Sequence, residues 1–267
     1  MRATKPEDIL SEAPLIGISG MQGQGKSTFA AGAKNLLYFQ VESGALTSVM
    51  PEPYGNKECL RWLKNKGYGP LDPNRVIVCK SLTEFDELWL REFKQPAMRG
   101  KFPYDGVVID SFTELHFLRA EKLGLYSEVN SDTANSWNAL YGMQKRFFRG
   151  CRETKVPCIF IWHLKDHKLK PTIITKDEKG NKIAKPARDH DNWIMPHLGG
   201  STKWDVLQNF DQIWSVQRVN KRYDIHTENF GDIQNKGRGN VESIVTNSSL
   251  QEMLERVGYI KKEEVNV

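Results

Sequence analysis

Cysteine is scarce in this chain of 267 residues: Cys59, Cys79, Cys151 and Cys158, with no CxxC pair among them. That spacing excludes a zinc-ribbon signature and a disulfide framework, and it suits a reducing, cytoplasmic setting. Long apolar runs are also missing. Nothing approaches the roughly 18 consecutive apolar residues of a membrane-crossing helix, so no membrane partner is expected. The start, MRATKPEDIL, has no apolar stretch behind its basic residues, and no secretory leader is expected there. There is no internal repeat and no low-complexity tract, which excludes a repeat array. Charge of one sign does not dominate. Lys and Arg number 38 against 33 Asp and Glu, a net of +5. That balance permits an anionic partner without demanding one, so the distribution of charge carries more information than its size. The length allows one large α/β domain or two small ones.

What is present is concentrated near the start. Residues 16–29 read IGISGMQGQGKSTF. The segment Gly20-Met21-Gln22-Gly23-Gln24-Gly25-Lys26-Ser27 fits GxxxxGK[ST], a phosphate-cradling loop. Each position has a physical reason. Peptide N–H groups must turn inward on a polyphosphate, which requires dihedrals that glycine tolerates. Lys26 can reach the β and γ phosphates, and the Ser27 hydroxyl can hold Mg²⁺. The phosphate cradle is therefore Gly20, Gly23, Gln24, Gly25, Lys26, Ser27 and Thr28. The context agrees: residues 15–19 read as a buried strand, and residues 27–37 read as a helix.

Beyond the loop, apolar strands alternate with helical stretches. Strands are expected over 37–44, 75–79, 104–111 and 156–163. Helices are expected over 83–93, with a start signal at Ser81-Leu82-Thr83-Glu84, and over 111–126 and 133–153. This alternation predicts an α/β fold with a mostly parallel central sheet flanked by helices. Parallel sheets bind ligands at the carboxyl ends of their strands, so Glu42, Asp110 and His163 should share one edge with the loop. Asp110 closes an apolar strand and suits a carboxylate that holds Mg²⁺ through water. Glu42 is the candidate general base for an attacking water. His163 is placed to hydrogen-bond the γ-phosphate.

The second half changes character. Residues 164–203 carry nine Lys or Arg against five Asp or Glu, a net of +4, and contain an expected β-hairpin from Pro171 to Ile183. This basic insertion is a candidate single-strand nucleic-acid surface, with Lys165, Lys168, Lys170, Arg188 and Lys203 as the phosphate contacts and aromatic and histidine side chains able to stack on bases. A short helix is expected over 202–209. Two strands, 212–219 and 222–229, are joined by Asn220-Lys221. A glycine-rich basic turn follows at 234–240, where Lys236 and Arg238 could reach a neighbouring subunit's nucleotide. A last helix is expected over 248–257.

Together these motifs resemble the RecA-like branch of P-loop ATPases, and within it the small phage-encoded ATP-binding proteins that include Sak-type single-strand annealing recombinases. The resemblance rests on the order of the loop, Phe39-Gln40-Val41-Glu42, Val107-Val108-Ile109-Asp110-Ser111, a strand ending in His163, a basic loop, and Lys236-Gly237-Arg238-Gly239. It implies a RecA-like core over 13–247, an N-terminal extension over 1–12, and a C-terminal helix and tail over 248–267. It also implies Glu42 as catalytic glutamate, Mg-ATP hydrolysis, self-association into a ring or filament, single-stranded DNA as partner, and action in recombination or replication in the cytoplasm of a cell or phage host. The sequence departs at Gln40, where that branch keeps an acid. The alternative reading is a nucleotide-dependent assembly switch acting on a protein partner.

Overall fold

The computed structural model describes residues 13–125, 133–165, 172–176, 182–186, 195–196, 198, 207–229, 235–236 and 241–260. Its centre is a sheet built from the apolar runs. The strands are β1 (Leu15–Gly20), β2 (Leu36–Gln40), β3 (Val76–Val78), β4 (Gly106–Asp110), β5 (Cys158–Lys165), β6 (Thr172–Lys176), β7 (Lys182–Pro186), β8 (Met195–Pro196), β9 (Gln212–Val219), β10 (Arg222–His226) and β11 (Ile244–Val245). Their order across the main sheet is β11-β10-β9-β1-β5-β4-β2-β3, with β8 on β5. From β9 to β3 every neighbouring pair is parallel, and within this sheet β10, β11 and β8 pair antiparallel. A parallel sheet needs crossover helices, which cover both faces and bury the strands. β1 and β4 are accordingly buried throughout.

The helices are α1 (Lys26–Ala31), α2 (Lys57–Asn65), α3 (Leu82–Leu88), α4 (Gln95–Met98), α5 (Phe112–Lys122), α6 (Thr133–Arg152) and α7 (Leu250–Arg256). They sort into two layers. One face of the sheet packs Phe39, Ile109, Phe160 and Trp162 against Phe85, Trp89, Phe112 and Phe148 of the helical layer. The other face packs Ile18, Tyr38, Trp214 and Tyr223 against Phe29, Trp62, Leu250 and Met253, so α1, α2 and α7 share that layer.

Several expectations shift. The helix expected over 27–37 ends at Ala31, where the Gly32 N–H closes on the Phe29 carbonyl at 3.1 Å. Leu36 and Leu37 instead begin β2, paired with Gly106 and Val107 of β4. An apolar run of that length fits helix or strand, and the sheet partner decides. β2 then stops at Gln40 rather than 44, and Glu42 stands in the turn beyond it. The helix expected over 83–93 is α3, capped by Ser81 as its start signal implies, followed by a π-helical stretch at Trp89–Lys94 and then α4. α2 has no counterpart among the expected elements. It is capped by Asn56, whose side chain accepts from the N–H groups of Glu58 and Cys59. The basic hairpin forms as β6 and β7, with Ile174 opposite Ala184. The helix expected over 202–209 lies largely outside the described residues. α7 carries a capping box between Ser249 and Glu252. Among the described residues, no helix is long and apolar enough to cross a membrane.

Register then fixes the site. Gly20 of β1 lies beside His163 of β5, and Gln40 of β2 lies beside Asp110 of β4. The loop, Asp110, His163 and the turn holding Glu42 therefore meet at one edge, as the strand pattern of the sequence implies.

Candidate active site

The loop between β1 and α1 takes two left-handed glycines, Gly23 at φ 78° and Gly25 at φ 85°. Such dihedrals are unstrained only for glycine. A side chain at Gly25 would also meet the Tyr223 ring, because a Cβ there would stand 2.0 Å from Tyr223 Cε1. Lys26 follows and is buried. Its ammonium donates to the carbonyls of Gly20 at 2.9 Å and Met21 at 3.0 Å, which folds the loop around it. Burial pulls its pKa down to about 8, against the opposing pull of Asp110 and Glu42.

The Ser27 hydroxyl donates to Asp110 Oδ2 at 2.6 Å. Asp110 is buried, and that burial pushes its pKa up to about 6, with the Ser27 hydrogen bond acting the other way. A hydroxyl and a carboxylate oxygen side by side form a hard donor set that suits Mg²⁺. Among the described residues no cluster of three His, Cys, Asp or Glu could hold a metal. Two protein oxygens are consistent with a Mg²⁺ that takes its other ligands from water and phosphate.

Glu42 and His163 bridge the ends of β2 and β5 across the end of β4. Glu42 Oε2 lies 2.8 Å from His163 Nε2. That hydrogen bond is the main cause holding the Glu42 carboxyl below its ordinary range, with Ser111 adding to it. An ionised carboxylate only accepts, so Nε2 carries the proton. The His163 main-chain N–H is anchored on Thr113 Oγ1 at 2.9 Å.

These groups line one cavity of about 330 Å³. Of the sequence-derived residues, Gly23, Gly25, Lys26, Ser27, Thr28, Glu42, Asp110 and His163 face it. Gly20 contributes its carbonyl to Lys26, and Gln24 Oε1 accepts the Arg218 N–H at 2.9 Å. Lys236 stands elsewhere: its backbone bridges Ile213 and its ammonium donates to the carbonyls of Gln208 and Phe210. Lys165 closes β5, in register with Met195 of β8. Arg238, Lys168, Lys170, Arg188 and Lys203 lie outside the described residues.

Sequence reasoning misses Ser48, Asn56, Cys59, Arg218 and Tyr223, which also line the cavity. Those residues come from three separate segments, and none belongs to a local motif. The Asn220-Lys221 turn is the one available signal, since it marks the hairpin that carries Arg218 and Tyr223.

No protein-family model matches the chain, and no curated protein matches it. Among solved structures, the chain is similar to the crystal structure of the RadB recombinase, at 15% identity and a TM-score of 0.43, over 88% of this chain and 87% of that one.

Proposed function

We propose that the protein is a magnesium-dependent, RecA-like ATP hydrolase that works as an oligomer on single-stranded DNA in recombination or replication. The observation that carries the nucleotide reading is the convergence of Lys26, the Ser27–Asp110 pair and the Glu42–His163 pair on one cavity at the carboxyl edge of a parallel sheet. In this reading the loop N–H groups and Lys26 bind the β and γ phosphates. Ser27 and Asp110 would hold Mg²⁺, which would supply charge neutralisation at the phosphate oxygens. Glu42 accepts a proton from water as the water oxygen bonds to the γ-phosphorus and the bond to the β-phosphate oxygen breaks. His163 keeps Glu42 ionised and aimed.

The DNA part of the reading is supported by the net positive 164–203 stretch, which continues directly from the strand bearing His163. Arg238 is the finger that would complete a neighbour's site. The test is steady-state ATP turnover of the full chain alone, with single-stranded DNA and with duplex DNA. Strong stimulation by single strands is expected. Turnover indifferent to all nucleic acid would favour the assembly switch acting on a protein partner.

A further inference from the structure

The β9–β10 hairpin forms one wall of the cavity through Arg218 and Tyr223. It is pinned to the loop by the Arg218 N–H on Gln24, and the Tyr223 ring stands against Gly25. Tyr223 also packs edge-on against Trp62, with ring centroids 4.7 Å apart. Beyond this wall is a second cavity of about 120 Å³, lined by Arg61, Trp62, Asn65 and Lys221 among others. Arg218 and Tyr223 line both cavities. Arg218 Nη2 meets Glu58 Oε2 at 2.5 Å, so an ion pair stands at the boundary.

The sheet order sets Arg218 on the other side of the loop strand from Asp110, Glu42 and His163. β9 flanks β1 on one side, whereas the strands leading to Asp110, Glu42 and His163 lie on the other. Cys59, Tyr223 and Arg218 line the same cavity as Lys26 and Ser27, so a nucleotide held by its phosphates at the loop would find them beside its nucleoside. An exposed ion pair contributes little, so Glu58 holds Arg218 weakly. A guanidinium is planar and always charged, and it stacks well on aromatic faces.

We infer that Arg218 leaves Glu58 on nucleotide binding and stacks on the nucleobase, so that the hairpin makes the site specific for a nucleotide rather than for a bare polyphosphate. The inference rests on reading the cavity as a nucleotide site. Calorimetry with Mg-ATP and with Mg-tripolyphosphate tests it on the full chain. Arg218→Ala should weaken ATP about 10-fold and leave tripolyphosphate within about twofold. Glu58→Gln, which frees Arg218 and removes no group from the cavity of Lys26 and Ser27, should tighten ATP by about twofold or more. Equal loss for both ligands in Arg218→Ala would overturn the inference, because Arg218 would then act on phosphate. Full ATP affinity in Arg218→Lys would overturn it too, because charge alone would suffice. Failure of the wild-type chain to bind either ligand would overturn the nucleotide site itself, and this inference with it.

Discussion

Gly25→Ala should be far more costly than Gly23→Ala, although both glycines have positive φ. At Gly23 a Cβ meets nothing within 4 Å, so only the left-handed backbone is penalised, at roughly 1–2 kcal/mol. At Gly25 the same penalty applies, and a Cβ would also stand 2.0 Å from Tyr223 Cε1 and 2.7 Å from Cζ. Tyr223 is buried and braced by Trp62, so it cannot swing aside freely. Forced overpacking adds roughly 1–3 kcal/mol, for a total of roughly 2–5 kcal/mol. Urea unfolding of the two variants measures the difference. A Tyr223→Ala background removes the clash, so the cost of Gly25→Ala should drop there by roughly 1–3 kcal/mol. Equal costs at the two glycines, or strict additivity in the cycle, would refute the reasoning.

Three further outcomes are expected. Asp110 must be ionised to face a cation, and Lys26 must be protonated to face phosphate. Their pKa values of about 6 and about 8 give kcat/KM for ATP a bell-shaped profile, rising through the first and falling through the second. A flat profile over that range would contradict both assignments. Lys26→Ala should reduce ATP turnover by about 10²-fold or more, and normal turnover would remove the loop from the chemistry. Arg238→Ala should cut hydrolysis while leaving ATP affinity nearly intact, and a loss confined to affinity would contradict a role across the subunit boundary.

The cradle is legible in the sequence because it is local: glycines, lysine and serine stand within one short segment. Asp110 and His163 are legible through strand ends, which topology converts into a shared edge. The Glu42–His163 hydrogen bond spans 121 positions, and the sequence places the two residues together without showing their contact. The part of the cavity lined by Asn56, Cys59, Arg218 and Tyr223 is not legible. Asn56 and Cys59 belong to a helix and its cap that carry no motif, and Arg218 reaches that helix from 160 positions beyond Glu58. Lys236 shows the opposite limit. Its basic, glycine-rich setting suggests a projecting finger, while its ammonium rests on carbonyls of its own chain.

The decisive measurement is ATP binding and single-turnover hydrolysis by the Glu42→Gln variant beside the wild-type chain, with Mg²⁺ present. Glutamine keeps the shape of the side chain and loses the base. ATP affinity should persist while hydrolysis falls by about 10²–10⁴-fold. Wild-type hydrolysis in the variant would contradict Glu42 as the base and, with it, the proposed chemistry of the site.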